Sequence, residues 1–284
     1  MSASNSWWTT LPYAQFKRDP HFYVKHDTVF LVLALGGIAA LHLSGYTPSS
    51  EWLAPWHLAL FPIVLYLTIM SHVFAHCASH GAWGRDTAGR VVNRIAGELC
   101  GAWVLTKFAS WEIVHRRHHR YSDDAARDPH PAERGYWRYA LNTFINVEKQ
   151  LQQEYFDVHG DTPERRRYER FRSVYSFVSA AVLALFWEQL VGLPLFLEVV
   201  GPSWVLAALF VIHFNWVGHN AHTREGAIEP TNLDHGWFWL GNRMFFGIYF
   251  HGNHHRMTVV FNPMKVPDQR PRETASDVGG GLAA

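Results

Sequence analysis

Lysine and arginine are missing from two long stretches of this 284-residue chain, and that gap limits the fold more than any motif does. None lies between Asp27 and Arg85, and none between Arg172 and Arg224. The acidic residues inside the gaps are Glu51, Glu188 and Glu198. Ionised side chains are expensive in hydrocarbon, so a segment that crosses a bilayer excludes them. A helix rises about 1.5 Å per residue through a core of about 30 Å, so one crossing takes about 20 residues. Each gap is long enough for two. The first reads as spans at 28–45 and 57–76, joined by TPSSEWLAPW. The second reads as spans at 174–192 and 204–220, joined by LPLFLEVVGPS. Pro48, Pro55, Pro194, Gly201 and Pro202 punctuate the two hairpins.

All basic residues fall in the N-terminal arm, the middle segment and the C-terminal part. By the positive-inside rule these belong in the cytoplasm, with both hairpin tips on the other side. The mean hydropathy of -0.11 hides this, because it averages apolar spans with charged segments. The first apolar run is followed by a turn and a second run, so it reads as an anchor and not as a cleaved leader. A soluble protein with two buried helical hairpins is the competing reading, and charge on one flank only speaks against it. The chain is 48% apolar with a net charge of +1, which excludes intrinsic disorder. Two cysteines exclude a disulfide-stapled scaffold. Lys+Arg 25 against Asp+Glu 24 leaves no basic excess for nucleic acid. The expected fold is all-α: one domain over 1–267, with four spans and a cytoplasmic helical cap at about 77–173 and 221–267. The Gly-rich end, 268–284, reads as a disordered tail.

The 19 histidines are clustered at the cytoplasmic ends of the spans. SHVFAHCASHG carries His72, His76 and His80 at i, i+4 and i+8, on one helical face. HRRHH carries His115, His118 and His119, and HGNHH carries His251, His254 and His255. FNWVGHNAH carries Asn215, His219 and His222 at the end of the fourth span. A lone HxxxH is more often a pair of polar core residues than a ligand pair. Two copies of HxxHH, with HxxxH upstream and all on one side of a membrane, are different. So many imidazoles without an ion would leave buried polar groups unpaired. Eight to ten imidazoles with few thiols suit two ions and do not suit a thiolate-rich structural zinc site. The scarcity of carboxylates separates them from the carboxylate-bridged di-iron bundles.

These residues resemble the membrane fatty acid desaturase and hydroxylase superfamily. HCASHG is similar to its first histidine box, HRRHHRYSDDAARDPHP to its second and HGNHH to its third, with about 35 residues between the first two boxes. The resemblance covers roughly residues 28–262. It implies four membrane spans, a cytoplasmic cap and two irons. It implies that His76, His80, His115, His118, His119, His251, His254 and His255 are metal ligands. From the stearoyl-type acyl desaturases it adds His219 as a ligand and Asn215 as a water-mediated one. His72 and His222 are then extra, and either replaces an assigned ligand if the alignment slips by a turn. Orienting carboxylates are sought among Asp123, Asp124, Asp128, Asp234, Glu98 and Glu112, with Asp128 first.

The implied activity is an oxygen-dependent, di-iron desaturation of a long-chain acyl substrate, with O2 as co-substrate and membrane lipid around it. The iron pair supplies the chemistry and the protein positions the carbon. Trp83, Trp103, Trp111, Trp216, Trp237 and Trp239 are candidates to line an apolar channel. The run Arg165, Arg166, Arg167, Arg170 and Arg172 is either a positive-inside flank or an anion contact. The chain carries no ferredoxin-like cysteine cluster and no dinucleotide fingerprint. Electrons are therefore expected from a separate ferredoxin, rubredoxin or cytochrome b5-like donor with its reductase. The alternatives are hydroxylation, acetylenation or decarboxylation, or oxidation of an alkane or carotenoid, on the same scaffold. A histidine-rich metal transporter is the reading from another class. It needs polar residues midway along the spans, and LALFPIVLYL and VSAAVLALF offer no ion path.

Overall fold

The computed structural model describes residues 6–219 and 229–267, and every regular element among them is helical. A short helix α1 (Pro12–Phe16) leads into α2 (Phe22–Leu43), and α3 (Pro55–Ser79) returns. Three helices follow: α4 (Thr87–Trp103), α5 (Phe108–Tyr121) and α6 (Tyr136–His159). Then come α7 (Pro163–Val191), a single turn α8 (Leu193–Leu195), a π-helical turn at Phe196–Val200 and α9 (Gly201–Gly218). Two short helices, α10 (Gly236–Met244) and α11 (His251–Arg256), close the described chain. The four stretches long and apolar enough to cross a membrane are α2, α3, α7 and the run Leu193–Gly218. Their outer faces expose Val32, Leu33, Leu58, Phe177 and Val205. Such a surface suits lipid and would not be stable against water.

Three boundaries differ from those expected. Helix α2 begins at Phe22, six residues before the apolar run, because its polar first turns find buried partners: His26 meets Glu98 at 3.0 Å and Asp27 meets Lys107 at 2.9 Å. The arginine run precedes the apolar part of the third span as expected, but it is already helical and forms the start of α7. Thr162 caps that helix by accepting from the Arg165 N–H, and Pro163 stands at its first turn, where no N–H is needed. The tip LPLFLEVVGPS is helical and not a loop. Pro194 sits in the first turn of this run, where no N–H is needed, and Pro202 directly follows the π-helical turn Phe196–Val200.

Helix α2 packs along α7, and α3 packs on both α4 and α9. Between the two pairs, α5 packs on α3, α4 and α6, and α6 on α9. Close approach of α4 to α5 depends on Gly97 and Gly101. A Cβ at Gly97 would lie 2.5 Å from the Phe108 ring, and one at Gly101 would lie 2.6 Å from the Phe108 nitrogen. Helix α5 thereby lies close on α4 while it also packs on α3. Buried ion pairs join α6 to its neighbours. Arg172 on α7 meets Glu148 on α6 at 2.6 Å and Glu169 at 2.8 Å, and Arg117 on α5 meets Glu154 at 2.6 Å.

Candidate metal centre

Four elements meet where α3 and α9 end. Helix α3 brings His76, with His80 at its C-cap, and α5 brings His115, His118 and His119. His219 caps α9, and α11 carries His251, His254 and His255. The six-residue helix α11 is too short to hold itself. The buried Asn253 in its middle fixes it. Its backbone N–H donates to Asn232 Oδ1 at 2.9 Å, and its amide donates to the carbonyls of Pro263 and Val266. Sequence reasoning missed this role, since the middle letters of HGNHH looked like spacers.

The imidazoles form two groups. In the first, the ring nitrogens of His76, His80, His115 and His254 lie within 4.8 Å of one another. The second group holds His118, His219, His251 and His255 by the same measure. His119 sits between them. Its Nε2 is 3.0 Å from that of His115 and 3.1 Å from that of His254, and its ring is 4.4 Å from that of His255. In the first group, His80 and His115 bring their Nε2 atoms to 2.7 Å, and His76 and His254 to 3.0 Å. In the second, Nε2 of His251 is 2.9 Å from that of His219 and 3.1 Å from that of His255.

This donor set fits metal ions. A neutral imidazole nitrogen offers either one N–H or one in-plane lone pair. Nε2 of His115, of His119 and of His254 each faces two other ring nitrogens, so hydrogen bonds alone leave some of them opposed. The orientation of two rings is fixed from behind. Nδ1 of His118 donates to Asp128 at 2.9 Å, and Nδ1 of His219 donates to Asp123 at 3.1 Å. In the neutral form of each ring Nε2 therefore carries the lone pair. Nε2 of His118 is buried with no hydrogen-bond partner among the described residues. Such an atom is costly unless a cation shares it.

Electrostatics favour neutral rings. Burial, reinforced by neighbouring imidazoles, holds His80, His115, His119, His251 and His254 well below the ordinary histidine range. Burial opposes protonation of His118 too, but the Asp128 carboxylate outweighs it and lifts that ring above its ordinary value. Asp128 is itself held by the backbone N–H groups of Asp123 and His130, both at 2.7 Å.

The remaining expected site residues divide. Asn215 does not reach a ring; its amide donates to the Tyr139 hydroxyl at 2.9 Å. His72 lies a turn deeper on α3 and belongs to neither group. His222 and the tail 268–284 fall outside the described residues. Of the six carboxylates considered, Asp128 and Asp123 meet clustered imidazoles. Glu98 pairs with His26 and Arg94, Glu112 and Asp124 pair with arginines, and Asp234 accepts from Asn242.

Two apolar cavities flank the first group. The larger, of about 360 Å³, runs between α5, α6, α7 and α9 and reaches His76 and His115. The smaller, of about 40 Å³, reaches His76, His251 and His254. Among the tryptophans proposed for a channel, Trp111 alone lines either one. Trp103 donates to Thr68, Trp216 to the Glu133 carbonyl, and Trp237 and Trp239 face outward. Trp83 packs on Phe74 and Phe261.

A family model described as fatty acid desaturase matches residues 50–273, which takes in the four elements that bring the clustered histidines together. A search of curated proteins finds no match, and a search of solved structures finds none.

Proposed function

The chain belongs to the fatty acid desaturase family, which makes it an oxidoreductase that modifies fatty acids, and on that premise we propose that it inserts a double bond into a long-chain acyl substrate by an oxygen-dependent reaction at two irons. The observation that carries this reading is the pair of four-imidazole groups side by side, bridged by His119. His76, His80, His115 and His254 would hold one ion, and His118, His219, His251 and His255 the other, with His119 placed to reach both groups. Iron bound there would supply the redox chemistry, the reduction of dioxygen and the oxidising power needed at an unactivated methylene.

The side chains do the rest. Asp128 and Asp123 keep His118 and His219 in the tautomer that presents Nε2 to the centre. Asn215 acts on the second group through water. The larger cavity takes the acyl chain, since each methylene buried there is favoured by about 0.8 kcal/mol. Its apolar wall also keeps bulk water from the carbon that reacts. The cap faces the cytoplasm, where a ferredoxin, rubredoxin or cytochrome b5-like donor with its reductase delivers electrons one at a time.

The test is expression with a matched donor and reductase, followed by mass spectrometry of cellular lipids. A product lighter by two hydrogens supports desaturation. A product heavier by one oxygen replaces it with hydroxylation on the same scaffold. Unchanged lipids across acyl-CoA, carrier-linked and glycerolipid pools, with both irons loaded, overturn the acyl assignment.

A further inference from the structure

Helices α6 and α7 form an antiparallel hairpin whose arms have different neighbours. Near the turn they are joined: the Tyr155 and Tyr168 rings stand 5.5 Å apart, and Glu148 meets Arg172 at 2.6 Å. Farther out, α7 packs along α2, while α6 packs on α9, where the Tyr136 hydroxyl donates to the Leu209 carbonyl and Ala140 packs with Ile212. The larger cavity lies between these arms, bounded also by α5 and α9. Continued past Glu148 and Arg172, the register of the hairpin sets Phe144 opposite Phe177. Both side chains line the cavity, yet Phe144 is 60% exposed and Phe177 67% exposed. That exposure faces outward. Phe144 shares a helical stripe with Leu141 and Ile145, and Phe177 shares one with Val174 and Val178. These four neighbours are exposed and none of them lines the cavity. The cavity wall is therefore one side chain thick here, and its outer side belongs to the apolar face of a helix long enough to cross a bilayer. The charges on the wall point the same way. A CoA or carrier-protein thioester brings phosphates, which call for free cations. The lysine and the arginine that line this cavity are both committed to buried carboxylates, Lys107 to Asp27 at 2.9 Å and Arg172 to Glu148 and to Glu169 at 2.8 Å.

We propose that the gap between Phe144 and Phe177 is a side door through which an acyl chain passes from the bilayer into the larger cavity, so that the substrate is the chain of a membrane lipid, esterified or free, and not a water-soluble thioester. The inference rests on the acyl reading above and names the substrate class of that site. The two phenylalanines are positioning residues: they admit the chain and touch none of the clustered imidazoles.

Photo-crosslinking follows the chain without relying on turnover. The purified full-length protein in lipid nanodiscs receives one long diazirine-bearing chain in three forms: as a phosphatidylcholine, as the free acid and as the CoA thioester. Adducts are mapped by peptide mass spectrometry. Leu151 and Ile212 line the cavity and are buried, so lipid outside the protein does not reach them. The bilayer-borne forms are expected to label these residues about tenfold more than the thioester does, and the better of the two identifies the lipid class. A Phe177→Cys variant, reacted when folded with a cationic methanethiosulfonate, places a charge in the door. Cavity labelling is expected to fall about tenfold and to return when the adduct is reduced off. The wild type treated alike, with its Cys77 and Cys100, is the control for the reagent. Leu141→Arg carries a charge on the outer stripe away from the cavity and should leave the labelling unchanged. Labelling that persists behind the charged cysteine, or that is stronger from the thioester, overturns the proposal; if the chain is nonetheless oxidised, the acyl reading stands. Labelling from the bilayer that the charge blocks, with no oxidation of any chain by the iron-loaded enzyme, keeps the door and sinks the acyl reading.

Discussion

Nδ1 of His118 lies 2.9 Å from a carboxylate oxygen of Asp128, ten residues further along the chain and wholly buried with it. The hydrogen bond fixes which nitrogen of His118 keeps its proton, and so which one faces the other rings. Asp128→Asn retains the shape but offers an amide whose orientation and charge no longer select that tautomer. Loss of such a partner costs about 10–100-fold in metal affinity or activity. The expected outcome is an intact, membrane-inserted protein with reduced iron content. Metal analysis against iron concentration checks it, and wild-type iron content in the variant would show the carboxylate to be structural only.

The two imidazole groups predict separable losses. His80→Ala strips the first group and His255→Ala the second. Each variant is expected to retain about one iron where the wild type retains about two, because four ligands remain grouped on the untouched side. Activity should vanish in both. His118→Ala should likewise abolish turnover while leaving the protein in the membrane. Iron quantitation per chain on protein purified anaerobically reads the first outcome directly, and a full complement in His80→Ala would remove that residue from the ligand set.

Much of this centre was legible in the sequence, for a physical reason. Spacing of i and i+4 places rings on one helical face whatever the tertiary structure does, so HxxxH and HxxHH announced local pairs. The charge-free stretches announced the spans equally well, because hydrocarbon tolerates few exceptions. What could not be read was the long-range pairing. Asp128 was favoured and does meet His118, but nothing local tied Asp123 to His219, 96 positions away. The span starts slipped for a similar reason. His26 and Asp27 look like loop residues until Glu98 and Lys107 are brought against them. The helical second tip was hidden by its two prolines, which read as breaks, whereas one opens the helical run and the other follows its π-helical turn.

Lys107 and Asp27 give a prediction about stability. They meet at 2.9 Å, both nearly inaccessible, and Lys107 also donates to the Ser176 carbonyl. Burial alone would push the lysine to its neutral form, while Asp27 stabilises its charge. Lys107→Met leaves the buried Asp27 carboxylate with only the Ser176 hydroxyl and the His26 ring beside it, and breaking a buried pair in this way costs up to about 3–5 kcal/mol. Replacing both, as Lys107→Met with Asp27→Leu, removes the stranded charge and is expected to regain most of that loss. Thermal unfolding of the detergent-solubilised variants measures the cycle. A double variant as unstable as Lys107→Met would mean that the pair contributes through shape and not through charge.

Gly218 supplies the last prediction, in the final turn of α9 next to His219. A Cβ at this position would lie 2.8 Å from Cδ2 and 2.9 Å from Cγ of the His251 ring. Neither neighbour can move freely. The Gly218 carbonyl accepts from the Thr231 N–H at 2.7 Å, and His251 begins the helix that Asn253 anchors. Gly218→Ala is otherwise a mild change, since alanine favours a helix. The clash should instead turn the His251 ring out of the second group, so that iron there is weakened while the helix content and the first group persist. The expected result is unaltered circular dichroism with about half the iron and little activity. Gly218→Ala with wild-type iron at both positions would show that His251 is free to yield, and that its place beside His219 is not what holds the second ion.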